Sequence, residues 1–183
     1  MVKRVVLAGL FGGLAMFAWL AAAHMSPLGE IGVGSMPREI LVTETLDSGV
    51  GGSGGLYVFP ADPEAGPSVP SGFMVFYPDN VMTMTAREPL GELAKDVVQA
   101  LLLALLLAQA VAAGYLRRLG LAAAAGLMVA LTTHGSYHLW YRFPLDFTLA
   151  DGAITLVAYV VAGAVIAAVL PRRRSAERHA PPA

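Results

Sequence analysis

The stretch VVQALLLALLLAQAVAAGYLRRLGLAAAAGLMVALTTHGSYHLWY, residues 97–141, holds two long apolar segments separated by a pair of arginines. A helix needs about 20 mostly apolar residues to cross the hydrocarbon core of a membrane. Residues Val97 to Leu116 and Leu119 to about Tyr141 both meet that requirement. Because only Arg117 and Arg118 lie between them, the stretch predicts a tight helical hairpin in a membrane.

Two further uncharged windows of this kind run from Val5 to about Met25 and from Gly152 to Pro171. The chain has 183 residues, of which 56% are hydrophobic and 14% charged, whereas soluble domains carry about 25% charged residues. A soluble core of this size cannot bury that excess. The predicted fold class is an all-α transmembrane four-helix bundle, with one helix in residues 1–25 and a three-helix region over residues 91–171 (91–116, 119–141 and 150–171).

The basic residues predict the orientation of the spans. Lysine and arginine are enriched in cytoplasmic loops next to membrane spans. Eight of the twelve lie on one side of the predicted bundle: Lys3, Arg4, Arg117, Arg118, Arg172, Arg173, Arg174 and Arg178. We therefore expect a multi-pass protein of a bacterial inner (plasma) membrane with both termini cytoplasmic and a basic tail at residues 172–183.

The first segment also has features of a secretory signal peptide. A basic start and an apolar stretch precede Ala21-Ala22-Ala23, a small-residue cleavage site before His24. The long apolar stretch and the bulky Trp19 favour an uncleaved anchor. Cleavage would leave three spans without changing the orientation of the others.

Residues 26–90 form the extracytoplasmic segment between helices 1 and 2. Apolar or alternating runs predict short strands, and Pro78-Asp79-Asn80 predicts a turn between the last two. A small antiparallel sheet resting on the outer ends of the spans is expected. The predicted strands are residues 40–46, 56–59, 73–77 and 81–85.

Small residues four apart mark one face on three of the spans. Such steps let helix backbones approach closely in lipid. They predict packing within the bundle, with dimerisation as the alternative. The steps are Gly9 with Gly13, Ala122 with Gly126, and Gly163 with Ala167.

One group of ionisable residues carries the candidate chemistry. His134 and His138 are four apart and so share a face of a regular helix. His24 and Asp151 lie at the outer ends of the first and fourth spans, at a similar depth. These four residues predict a site for a divalent metal.

Other readings of the same residues stay open. Histidines on the first and third spans suit a haem, and His134, Tyr137 and His138 suit a proton relay or a quinone headgroup site. Tyr137 and Trp140 support either site, or with Tyr141 form only an aromatic belt at the membrane surface, with unliganded histidines.

The sequence excludes several function classes. The absence of cysteine excludes thiol–disulfide exchange, iron–sulfur clusters and thiolate zinc sites in this chain. Nucleotide-binding loops and nucleophile elbows are missing, so no catalytic residue is predicted, and nucleic acid is not an expected partner. The leading hypothesis is a structural, accessory or partner-binding protein that contacts the lipid bilayer and a membrane or periplasmic protein. The alternatives are a metal-, haem- or quinone-binding redox protein and an oligomeric transporter subunit; homo-oligomerisation is left open.

Overall fold

The computed structural model describes residues 2–79, 83–110 and 113–171. The predicted basic tail, residues 172–183, lies outside them. The elements in chain order are α1 (Val2–His24), a 3-10 turn (Pro27–Glu30), α2 (Glu39–Val50), β1 (Gly55–Phe59), β2 (Gly72–Phe76), α3 (Arg87–Gln109), α4 (Tyr115–Ala130), a π turn (Leu131–Gly135), α5 (Ser136–Tyr141) and α6 (Leu145–Val169).

Helices α1 and α6 form the centre of the packing. Helix α1 packs on α3 and α6, and α6 packs in addition on α4. Alanine dominates the buried positions, which lets the helix axes come close together. The fully or almost fully buried alanines are Ala8, Ala100, Ala104, Ala122, Ala158, Ala162 and Ala167.

The three small-residue steps all lie at contacts within the chain. A Cβ built on Gly13 would lie 2.6 Å from the Cα of Val97, and one on Gly9 would lie 2.8 Å from the Cα of Leu101. On the other side of the molecule, a Cβ on Gly163 would lie 2.2 Å from the Cβ of Ala122. The predicted packing role therefore agrees with the contacts, and these faces are covered inside one chain.

Three helical segments are long and apolar enough to cross a membrane, judged by length and composition: α1, the continuous helix Tyr115–Tyr141, and α6. They correspond to the first, third and fourth predicted spans. Helix α3, which contains the leucine-rich second span, is not among them because Glu92, Lys95 and Asp96 lie together in its first half.

The break between α3 and α4 is not at the two arginines. Helix α3 ends at Gln109, and α4 begins at Tyr115 after Gly114 in an extended conformation. Arg117 and Arg118 lie in the first turn of α4, so the prediction that they form the connection is wrong. Arginine has a high helix propensity, and a charge pair alone does not end a helix.

The predicted strand at residues 40–46 is also wrong, since this segment belongs to α2. The hydroxyl groups of Thr43 and Thr45 donate to the carbonyls of Glu39 and Leu41 in the preceding turn. These side-chain hydrogen bonds allow a helix to accommodate threonine, whose β-branched side chain otherwise lowers helix propensity. Gly51, in the left-handed region at φ 65°, ends the helix.

The sheet has two antiparallel strands in the described residues. Gly55 pairs with Phe76 and Phe59 with Gly72, which confirms the predicted strands 56–59 and 73–77 to within one residue at each end. The predicted hairpin between 73–77 and 81–85 is not seen in the described residues, where β2 pairs with β1. Residues 83–85 form no strand, and residues 80–82 lie outside the described ranges.

An aromatic cluster fixes the sheet to one end of the helices. The ring of Phe73 in β2 lies 4.6 Å from that of Tyr141 and 5.6 Å from that of Phe143, centroid to centroid. Phe143 in turn lies 5.4 Å from Tyr137 and 5.4 Å from Phe147. Aromatic pairs at these separations add to the energy of burial. We call this end of the molecule, where α1 ends and α6 begins, the hairpin end.

Two hydrogen bonds join Thr85 and Glu88 at the start of α3. The hydroxyl and the backbone N–H of Thr85 both donate to Glu88 Oε2, a reciprocal arrangement of the capping-box type.

Candidate functional site: a polar chamber at the hairpin end

A cavity of about 350 Å³ opens at the hairpin end between α1, α3, α4 and α6. We call it the polar chamber. Its floor is apolar and includes Met16, Leu20 and Val129. Its polar lining residues are His24, Glu92, Lys95, Gln99, Thr133, His134, Asp151, Thr155 and Tyr159.

Asp151 of α6 joins three helices across the chamber. One carboxylate oxygen lies 3.1 Å from Nε2 of His24 at the end of α1. The other lies 3.3 Å from Nδ1 of His134 in the π turn. A carboxylate has about four acceptor positions, so each oxygen of Asp151 keeps room for one further donor.

Each of the two histidines has a second hydrogen-bond partner that orients its ring. Nδ1 of His24 lies 2.9 Å from the carbonyl of Leu20, so Nε2 is the ring nitrogen that faces Asp151. In His134, Nδ1 faces Asp151, and Nε2 lies 3.1 Å from the Thr155 hydroxyl.

His134 lies in the π turn at Leu131–Gly135 and lines the chamber, whereas His138 in α5 does not line it. A π turn has hydrogen bonds from residue i to i+5 and often marks a functional site. Nδ1 of His138 instead lies 2.7 Å from the carbonyl of Phe143, just after α5.

Helix α3 adds a stripe of polar residues that are not among the predicted site residues. Glu92, Lys95 and Gln99 are spaced three and four apart, which places them on one face of the helix, and all three line the chamber. Lys95 is paired with Glu92. The hydroxyl of Tyr159 donates to Oε1 of Gln99, which leaves the amide N–H groups of Gln99 available to a ligand.

Asp96 lies beside this stripe and is completely buried. Its nearest counter-charge is Nζ of Lys95, 3.4 Å from Oδ1. Neither carboxylate oxygen has a hydrogen-bond partner in the described part of the chain. Burying a carboxylate without hydrogen bonds costs free energy, and the nearby ammonium group of Lys95 offsets part of this cost. Lys95 therefore lies between two carboxylates, those of Glu92 and Asp96.

The segment after α1 holds His24 in place. The backbone after His24 turns back through Ser26, whose hydroxyl donates to the carbonyl of Ala23. A Cβ on Gly29 would lie 2.5 Å from the carbonyl oxygen of His24. Gly32 adopts φ 76° and packs directly on Phe147 of α6, a position that requires glycine for conformation and for space.

The predicted site residues are thus divided by the structure. His24, His134 and Asp151 come together, whereas His138 is engaged elsewhere. Tyr137 lies in the aromatic cluster, and Trp140 is 81% exposed. Within the described ranges, no group of three or more histidine, aspartate or glutamate side chains has the arrangement of a metal site.

No family model, curated protein or solved structure matches this chain. The functional interpretation therefore rests on the chemistry of the polar chamber and on its place among the apolar helices.

Proposed function

We propose that this chain is a four-span protein of a bacterial inner membrane, with both termini in the cytoplasm and the hairpin end in the periplasm. The fourth span is α3. Of its charged residues, Glu92 and Lys95 line the polar chamber and Asp96 is completely buried. Further along the helix, Leu102, Leu105 and Leu106 are apolar and more than half accessible. A membrane span can carry ionisable residues where they line a water-filled cavity.

We further propose that the protein is a binding protein, not an enzyme, and that the polar chamber holds a small uncharged ligand with hydroxyl or carbonyl oxygens. The observation that carries this proposal is the convergence of Asp151, His24 and His134 with Gln99 on one cavity. Polar groups converging on a largely preformed cavity are typical of small-molecule sites. Ionisable groups inside a membrane tend to have a function.

The charges of the lining support an uncharged ligand. The carboxylate of Glu92 is paired with Lys95, and that of Asp151 lies between His24 and His134. An ionic ligand would have to break one of these pairs. Hydrogen bonds to the free acceptor positions of Asp151 and to the amide of Gln99 require no such change.

Binding of hydroquinone, a benzene ring with two hydroxyl groups opposite each other, tests this proposal. Its binding to the protein in detergent is measured by saturation-transfer NMR under reducing conditions. The variant Asp151→Asn should weaken binding by about 10-fold, because a hydrogen bond to a charged acceptor contributes about 1.5–3 kcal/mol.

The matched control is Asp47→Asn, the same chemical change on the exposed face of α2. It should leave hydroquinone binding unchanged. Equal binding by both variants, or no saturable binding by the unmodified protein, would refute a ligand site in the chamber.

The first helix should be retained in the mature protein. Its buried face packs on both α3 and α6, and the indole N–H of Trp19 donates to the carbonyl of Ile154 at 3.0 Å. Removing α1 would expose the buried residues Ala100, Leu103 and Ala104 of α3. Intact-mass analysis of the protein purified from membranes should show the residues before His24, and a chain beginning at His24 would contradict this arrangement.

A further inference from the structure

A second cavity lies next to the polar chamber, on the flank of α1. This apolar groove has a volume of about 500 Å³. Its apolar lining comes from α1 and from the start of α3, and consists of Phe17, Leu20, Ala21, Met25, Met84 and Pro89. Its acidic lining residues are Glu88 and Glu92.

The two cavities meet at shared residues. Leu20, His24 and Glu92 line both of them. The side chain of His24, one of these shared residues, is half exposed. A molecule bound across the shared residues would have a polar head in the chamber and an apolar chain in the groove.

The groove faces the lipid in the proposed membrane arrangement. Helix α1 is long and apolar enough to cross a membrane, and the groove runs along the half of α1 nearest the hairpin end. A ligand dissolved in the bilayer would enter the chamber sideways through this groove. Entry from lipid requires a ligand with a substantial apolar part.

The charges at the junction select against common anionic lipids. Glu88, Glu92 and Asp151 would repel a phosphate group. The single lysine of the chamber, Lys95, is already paired with Glu92 and lies 3.4 Å from Asp96. An uncharged head with hydroxyl or carbonyl oxygens meets no such repulsion, and its ring can rest on Met16 and Val129.

From the residues shared by the two cavities we infer that the ligand of the polar chamber carries an apolar chain that lies in the groove between α1 and α3, and that its chemical class is a lipid-soluble quinol or quinone. This inference rests on the proposed ligand binding in the chamber. It assigns binding only; no electron transfer is involved. The chain lies beside Ala21, and the ring oxygens lie within reach of Asp151 and Gln99.

The test compares two probes and two alanine variants. The probes are a benzoquinol with a decyl chain and hydroquinone, which shares the ring and lacks the chain. The variant Ala21→Phe fills the groove. The matched variant Ala18→Phe places the same bulk on an exposed position of α1 that lines neither cavity.

Ala21→Phe should weaken binding of the decyl quinol by about 10-fold, as expected when about two methylene groups lose their contacts. Hydroquinone should bind this variant as it binds the unmodified protein. Ala18→Phe should change neither affinity. Thermal unfolding of both variants in detergent verifies that they remain folded.

Equal effects of the two alanine variants on the decyl quinol would overturn the groove assignment, while a retained Asp151-dependent affinity for hydroquinone would keep the proposed function. Competition by phosphatidylethanolamine as strong as that by unlabelled decyl quinol would assign the groove to ordinary bilayer lipid and overturn the quinol class. Failure of both probes to bind the unmodified protein would refute the proposed function itself.

Discussion

The variant Arg118→Leu is expected to lower the free energy of unfolding by about 3 kcal/mol. Arg118 is 2% exposed, and its guanidinium donates to the carbonyls of Leu170 and Pro171 at 3.2 and 3.0 Å. Carbonyls at the end of a helix have no partner within the helix, and a cation there also interacts favourably with the helix dipole. Leucine would leave these carbonyls without a donor at the packed end of α6.

The adjacent Arg117 provides the control, because it is exposed and carries the same charge. Arg117→Leu should change stability by less than about 0.5 kcal/mol. Arg118→Lys should fall between the two, since lysine keeps the charge and lacks the planar fork that reaches two acceptors. Stability is measured by titrating a denaturing detergent into the folded protein. Equal losses for Arg117→Leu and Arg118→Leu would show that only the charge matters, contrary to the structure.

The second large effect is expected at Gly13, where α1 and α3 are in backbone contact. A Cβ at this position would lie 2.6 Å from the Cα of Val97 and 3.0 Å from its backbone nitrogen. Backbone atoms cannot move aside without shifting α3. We therefore expect Gly13→Ala to lower stability by about 2 kcal/mol, in the range of overpacked cores.

Gly120 in α4 allows the same substitution without a clash. A Cβ there would meet no atom within 4 Å, so alanine should stabilise the helix by up to about 1 kcal/mol. The two Gly→Ala variants should thus have effects of opposite sign in the same unfolding assay. A stabilising Gly13→Ala would mean that α1 and α3 are not packed as described.

The apolar segments were predictable from the sequence because twenty uncharged residues leave few alternatives to a long helix. The residue at which α3 ends was not predictable from the sequence. The pair Arg117 and Arg118 looked like a boundary, yet the position of Arg118 is set by carbonyls about fifty residues later in the chain. No local pattern carries that information.

The segment 40–46 shows a second limitation, which is that local strand propensity does not say whether a pairing strand is available. Its β-branched residues favour a strand, but a strand needs a partner, and β1 and β2 pair with each other. Threonine hydroxyls bonded to the preceding turn make a helix acceptable there. Local propensity therefore gave the wrong answer where the available pairing decided the structure.

The candidate site was predicted in part. The depth of His24, His134 and Asp151 followed from the apolar windows, and the structure places these three together. His138 was assigned to the same face by a regular helical period, which the π turn interrupts. Glu92, Lys95 and Gln99 carried a detectable signal, their three-and-four spacing, whereas Thr155 and Tyr159 are ordinary residues of an apolar helix and gave none.

The most direct test of the account is the side of the membrane on which each end of α3 lies. The chain has no cysteine, so single cysteines can be introduced at Ser53, in the exposed segment before β1, and at Leu116, which is 79% exposed at the start of α4. A membrane-impermeant thiol reagent is applied to spheroplasts before and after lysis. We expect Ser53→Cys to react in intact spheroplasts and Leu116→Cys only after lysis. Reaction of both from the outside would show that α3 does not cross the membrane, and would contradict the four-span arrangement that places the polar chamber at the periplasmic end.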